Sequence, residues 1–197
     1  MESIKEIYKI GYGPSSSHTM GPRKAAETFK SRHPEASLYR VTLYGSLAAT
    51  GRGHFTDKAI VAALEPKPTE IVWRGDIVPE YHTNGMLFEA LDEERNVLSE
   101  WKVYSIGGGN LAEEGDRCEQ KNLYPHFMLS DILQYIEKEG LTYWEYVASH
   151  ETDDLWEHLG EVWEQMQATI EKGLHTDGVL PGGLHLRGKA RQYFVRA

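Results

Sequence analysis

Leu38-Tyr39-Arg40-Val41-Thr42-Leu43-Tyr44 alternates apolar and polar side chains and is rich in β-formers, which predicts a strand. Just downstream, Asp57 to Leu64 carries Ile60, Val61, Ala63 and Leu64, a short helical pattern with Thr56 placed as its N-cap. Ile71-Val72-Trp73 reads as a second strand. Met86–Leu91 and Val97–Ser105 flank the polar run Asp92-Glu93-Glu94-Arg95-Asn96, a β-hairpin with a charged tip whose second arm ends at Gly107-Gly108-Gly109. Upstream, Arg23–Lys30 reads as a helix with Pro22 in its first turn.

The character changes between residues 115 and 126. From there the signal is helical: Leu129 to Glu139, Thr142 to His150, and a long segment from Asp153 to Leu174. In that last segment Leu155, Leu159, Val162, Met166 and Ile170 recur at helical spacing, joined by Trp156 and Trp163, and the stripe reads as core packing. Gly173 breaks the helix, Leu180-Pro181-Gly182-Gly183-Leu184 forces a connector, and Gly188–Arg196 resumes helical pattern. The expected class is α+β: residues 1–120 as a small α/β domain with a mixed sheet and flanking helices, then an all-helical segment over 121–197.

Gly13-Pro14-Ser15-Ser16-Ser17-His18-Thr19-Met20-Gly21-Pro22 precedes the first helix. Its two prolines fix φ and remove two amide donors, which predicts a shaped loop. A hydroxyl-rich loop feeding a helix N-terminus suits a carboxylate or other anion. The helix-end field contributes about 0.3–1 kcal/mol, and each hydrogen bond to a charged ligand about 1.5–3 kcal/mol. The same stretch also reads as a serine-rich turn that only caps its helix. Two further clusters carry chemistry. His54 has Asp57 three residues on, near enough to orient an imidazole. His82 and Asn84 lie two apart, on one side of an extended segment.

Composition narrows the function classes. A net charge of −9 argues against a nucleic-acid partner. No apolar stretch approaches a bilayer span, and Met1–Glu6 lacks the build of a signal peptide. The single cysteine, Cys118, rules out an intrachain disulfide and fits a reducing cytoplasm. The nine histidines are scattered, with no i, i+4 pair around a carboxylate, so a histidine metal site is a weak reading and none is assigned. Gly-x-Ser-x-Gly is absent.

The Gly13–Pro22 stretch resembles the N-terminal signature of the iron–sulfur-dependent L-serine dehydratases, which deaminate serine to pyruvate and ammonia. Further matches follow in the family's order: Leu43–Leu47, Gly51–Asp57, His82–Met86, Tyr104–Gly109 and Asp177–Gly182. The resemblance implies a small domain, similar to an allosteric substrate-binding module, joined to a helical domain that carries the cluster. It implies L-serine as substrate, held by Ser15, Ser16, Ser17, His18 and Thr19, with Gly107 and Gly108 on the pocket floor. His54, His82, Asn84 and Ser105 are then the catalytic candidates, a base and an amide donor suiting proton transfer beside carboxylate recognition.

The family's 4Fe-4S cluster supplies a Lewis acid for the departing hydroxyl and requires several thiolates. One cysteine cannot supply them, so the cluster-bearing helical domain or subunit is the expected partner, with homodimer formation left open. The setting implied is amino-acid degradation and gluconeogenesis in the cytoplasm. The competing reading is a module that senses serine without doing chemistry. Fold alone does not separate the two.

Overall fold

A computed structural model describes residues 1–116, 122–181 and 185–196; Cys118 and Gly182 lie outside the described residues. The chain forms two compact units, Gly11–Arg117 and Met1–Ile10 with Cys118–Ala197. The first ten residues thus group with the helices rather than with the sheet.

In the first unit, the alternating stretch becomes strand β1 (Leu38–Tyr44). It is followed by helix α2 (Gly45–Thr50), helix α3 (Thr56–Leu64) and strand β2 (Thr69–Arg74). Helix α1 (Gly21–Arg32) precedes them. The hairpin is β3 (Gly85–Leu91) and β4 (Val97–Gly107), and a short β5 (Asn110–Ala112) adds an edge. The sheet order is β2-β1-β3-β4-β5, with β1 and β2 parallel and the other pairs antiparallel. The parallel pair requires a crossover, which α2 and α3 supply. This is the mixed sheet with flanking helices that the alternation of patterns predicts.

One face of the sheet carries the core. Tyr39, Val41 and Leu43 from β1 and Met86, Phe88 and Ala90 from β3 alternate inward. They meet Ala25, Ala26 and Phe29 of α1 and Ile60, Ala63 and Leu64 of α3. The small alanines, with the glycine and proline at the start of α1, are all buried, which lets the helices lie close to their neighbours. Phe29 sits centrally, with ring centroids 5.9 Å from Tyr39 and 5.5 Å from Phe88. Burying such a side chain contributes about 1.5–3 kcal/mol. On the opposite face Arg40 meets both Glu70 and Glu89, at 3.3 and 3.4 Å.

The second unit contains α4 (Leu129–Glu139), α5 (Tyr143–Ala148), α6 (Leu155–His175) and α7 (Ala190–Arg196). Gly140 ends α4 in a left-handed conformation, and a reciprocal Thr142/Glu145 capping box starts α5. Tyr124, Ile136 and Tyr146 form a small core against which Ile4 packs. Glu151 anchors the N-terminal segment, accepting from the Ser3 hydroxyl at 2.5 Å and the Ile4 amide at 2.9 Å.

Four local expectations are corrected. Gly173 does not break its helix, since α6 runs through it to His175. Gly13–Pro22 is not irregular loop throughout: Ser16–Met20 form a π-helical turn that runs directly into α1. Pro22 fits because a proline near the start of a helix forfeits only an amide without an intrahelical partner. Thr56 is not the N-cap of α3; Phe55 holds that position in left-handed backbone, and Thr56 begins the helix. The apolar stripe of α6 divides. Leu155 and Val162 are buried, but Trp156 (57%), Trp163 (56%) and Ile170 (57%) are exposed. The spacing fixes which residues share a helix face, while burial depends on what packs there. The tryptophan side is the exposed one, although Trp156 meets the Trp144 ring.

Candidate functional site

The motif residues of the sheet unit converge at one end of it. Strands β1 and β4 both pair antiparallel with β3, so they run the same way, and the ends carrying Gly45 and Ser105 lie beside the start of β3. The π-helical turn and the beginning of α1 pack over this end.

The turn is organised by its own side chains. Ser15 acts as its N-cap, accepting from the His18 amide at 3.1 Å. Thr19, buried, donates from Oγ1 to the His54 carbonyl at 2.8 Å, and Thr56 donates to the His18 carbonyl at 2.5 Å. Ser15 and Thr19 are therefore engaged in holding the turn and the Gly51–Phe55 segment together. Ser16 is exposed, and Ser17 lies against the His18 ring.

These contacts bring two histidines together. The His18 and His54 ring centroids are 4.8 Å apart. His18 Nδ1 is 3.0 Å from Ser17 Oγ, and Nε2 is 3.1 Å from Ser46 Oγ. Burial first, and then His54, holds the His18 imidazole below its ordinary pKa, against a hydrogen bond to the Ser46 backbone that raises it. The neutral ring is therefore favoured.

His54 is not oriented by Asp57. Its Nδ1 lies 3.0 Å from the Thr50 carbonyl, which can only accept, so the proton sits on Nδ1 and the lone pair on Nε2. Asp57 Oδ1 is buried without a hydrogen-bond partner among the described residues. The reason is local: Phe55 adopts φ 56°, ψ 32°, a conformation uncommon outside glycine, and this reverses the chain between His54 and the helix that carries Asp57.

His82 and Asn84 form a bend rather than an extended pair. His82 Nδ1 accepts from the Asn84 amide at 3.1 Å, which leaves the neutral ring its proton on Nε2. Asn84 Nδ2 donates to the Ser105 carbonyl at 3.2 Å, and the Ser105 amide donates back to the Asn84 carbonyl at 3.0 Å. Asn84 Oδ1 and Ser105 Oγ are both buried without a hydrogen-bond partner among the described residues. An unpaired buried polar group costs about 1–3 kcal/mol, a penalty that marks this junction as more than packing. Gly107 and Gly108 have φ of 109° and 57°, with open space where a Cβ would stand.

Ser46 and Thr83 belong to the cluster although spacing alone does not single them out. Ser46 carries the hydroxyl on His18 and joins the two groups of residues: its amide lies 3.2 Å from both the carbonyl oxygen and Oγ1 of Thr83. The available signal is in Leu43–Leu47, where β1 ends at Gly45-Ser46. Chemically, the arrangement offers an imidazole lone pair with a fixed tautomer, a second neutral imidazole between two hydroxyls, and amide and hydroxyl groups suited to a small polar ligand. Among the described residues, no group of three or more His, Cys, Asp or Glu is placed to hold a metal ion.

Comparison with known proteins bears on the same residues. The serine dehydratase beta chain family matches residues 3–72 and 63–116, a region that contains every residue of this cluster. L-serine dehydratase of Haemophilus influenzae is 33% identical over 245 residues, covering 98% of this chain and 54% of that protein. L-serine dehydratase 2 of Escherichia coli is 32% identical, with 96% and 53% covered. The Streptomyces coelicolor L-serine dehydratase is 31% identical, with 95% and 53% covered. The chain spans about half the length of the curated relatives it matches. On this match across the sheet unit and beyond, the chain belongs to the serine dehydratase beta chain family.

Proposed function

We propose that this chain supplies the substrate-binding part of an L-serine ammonia-lyase, which converts L-serine to pyruvate and ammonia. The observation that carries the reading is the His18–His54 pair, 4.8 Å apart, with the His54 lone pair fixed on Nε2 by the Thr50 carbonyl. Elimination of water from serine, the step that precedes hydrolysis of the resulting imine to pyruvate and ammonia, needs an α-proton removed and the carboxylate and ammonium held still. His54 Nε2 is the proton acceptor. Ser16 and Ser17, beside neutral His18, receive the charged end of the substrate, while Ser15 and Thr19 shape the turn. His82, through its protonated Nε2, and Asn84 complete recognition from the facing bend. The Ser105 junction and the Gly107-Gly108 backbone form the floor.

The 4Fe-4S cluster implied by the family does not fit this chain's own residues: there is one cysteine, and among the described residues no metal-ligating group. The thiolates therefore belong to a partner portion, and no step assigned to this chain runs through the cluster. The relatives' additional length is consistent with such a portion, and the exposed tryptophan face of α6 is where it would pack. The cytoplasm, where a cluster and free thiols persist, is the proposed setting.

The test is reconstitution. Alone, under anaerobic iron and sulfide, the chain should stay colourless and form no pyruvate from L-serine. Added to the cysteine-bearing portion of an L-serine dehydratase, it should restore turnover. A brown, active preparation of this chain alone would rule the reading out. Serine binding together with turnover indifferent to His54 would instead establish a regulatory module.

A further inference from the structure

Ser46 lies in the first turn of α2, and three of its contacts are directed at the site. Its hydroxyl oxygen is 3.1 Å from His18 Nε2. Its amide lies 3.2 Å from both the Thr83 carbonyl and Thr83 Oγ1. Its own carbonyl accepts from Thr50 Oγ1 at 3.0 Å, and the Thr50 carbonyl is the group on His54 Nδ1. One residue thus touches His18, the bend between His82 and Asn84, and the residue that fixes His54.

The backbone is shaped for this approach. Gly45 has φ of 47°, and a Cβ there would stand 2.4 Å from the Thr83 carbonyl oxygen. The glycine is required on both counts, and it places the next amide against Thr83.

A neutral imidazole has one N–H and one lone pair, and so needs one acceptor and one donor. The two ring nitrogens of His18 face two hydroxyls, Ser17 and Ser46, each able to play either part. Ser17 is the adjacent residue in the same short turn and moves with the ring. Ser46 belongs to a separate element whose backbone is pinned by Thr83. The external reference for the ring is therefore Ser46.

We propose that Ser46 is a positioning residue of this site, anchored by Thr83, and that its hydroxyl fixes the ring of His18 and the tautomer that the ring presents beside His54. This deepens the reading of the site as a serine-binding one and rests on it for its purpose, though not for its test.

The test has two arms. In the folded 197-residue chain, at a pH where the histidines are neutral, nitrogen-15 shifts of His18 report how the proton is shared between Nδ1 and Nε2. Ser46→Ala should move both shifts, and Ser46→Thr should return them toward the wild-type values. A thermal melt confirms that each variant is folded. Unmoved His18 shifts in folded Ser46→Ala would overturn the proposal. In the reconstituted enzyme, Ser46→Ala should lower kcat/KM for L-serine about tenfold, the loss of one hydrogen bond of ordinary strength, with Ser46→Thr recovering most of it. Moved ring shifts with unchanged serine turnover would support the positioning role and remove serine as the reason for it.

Discussion

A Cβ placed on Gly21 would stand 2.2 Å from the hydroxyl oxygen of Ser105 and 3.0 Å from its Cβ. The first residue of α1 therefore lies directly on the end of β4, and the hydroxyl beneath it is fully buried. This contact fixes the height of the π-helical turn above the sheet, and with it the position of His18.

The prediction from this contact is steric. Gly21→Ala should destabilise the chain by about 1–3 kcal/mol, the usual cost of overpacking a site that cannot yield. Ser105→Gly added to it should recover much of the loss, since it removes both clashing atoms. Urea unfolding of the single and double variants provides the measurement. A neutral Gly21→Ala would mean the turn can lift off the sheet.

The architecture was legible in the sequence because its strands and helices differ in period. Leu38–Tyr44 alternates with period two and is β1, while Leu129–Glu139 shows the helical period and is α4. Among the α-helices and strands, two escaped that signal for a physical reason. Gly45–Thr50 is too short to show a helical period, and Asn110–Ala112 is only a three-residue edge. The candidate residues His18, His54, His82, Asn84 and Ser105 do meet at one end of the sheet, but their partners were not readable from spacing. His54 turns to the Thr50 carbonyl and away from Asp57 because Phe55 takes a left-handed conformation. The part played by Ser46 depends on a contact with His18 twenty-eight residues away, which no local pattern encodes.

His54 and Asp57 should accordingly separate in function. In the reconstituted enzyme, His54→Ala should reduce kcat for L-serine by about 10²–10⁴-fold, as expected for a positioned proton acceptor. Asp57→Asn should leave kcat within a few-fold of wild type, because the imidazole takes its orientation from a backbone carbonyl. Steady-state kinetics on both variants decide the point. Equal, large losses would restore Asp57 as the orienting group.

Acid should release the N-terminal segment from the helical unit. Burial raises the Glu151 carboxyl, but hydrogen bonds from Ser3, Tyr124 and the Ile4 amide outweigh it and hold the group below its free value of 4.5. Hydrogen bonds from Lys5 and Thr152 bring Asp154 down from 3.8 to about 2. Both carboxyls are depressed in the folded state, so their contribution is fully present above the free values. It is lost as pH falls from about 4.5 toward about 2. The amide resonances of Ile4 and Lys5 should shift across that window, and Glu151→Ala should produce the Ile4 change at neutral pH. Resonances that stay fixed down to about pH 2 would show that Ile4 packing alone holds the segment.

The exposed side of α6 makes the last prediction. Trp156, Trp163 and Ile170 recur every seven residues, so they form one continuous line along the helix. Trp144 extends it, its ring centroid 6.2 Å from that of Trp156. Because these side chains already face solvent, Trp156→Glu and Trp163→Glu should leave the isolated chain folded, with a melting temperature close to wild type. The same substitutions should weaken association with the cysteine-bearing portion, since each forces a charge into an apolar contact that must exclude water. Loss of two such anchors should reduce affinity by about a thousandfold, taking about 2 kcal/mol for each. Pyruvate formation should fall in parallel and recover as the partner concentration is raised. That recovery separates a docking defect from a damaged site. Wild-type association by the double variant would place the partner on another face of the helical unit.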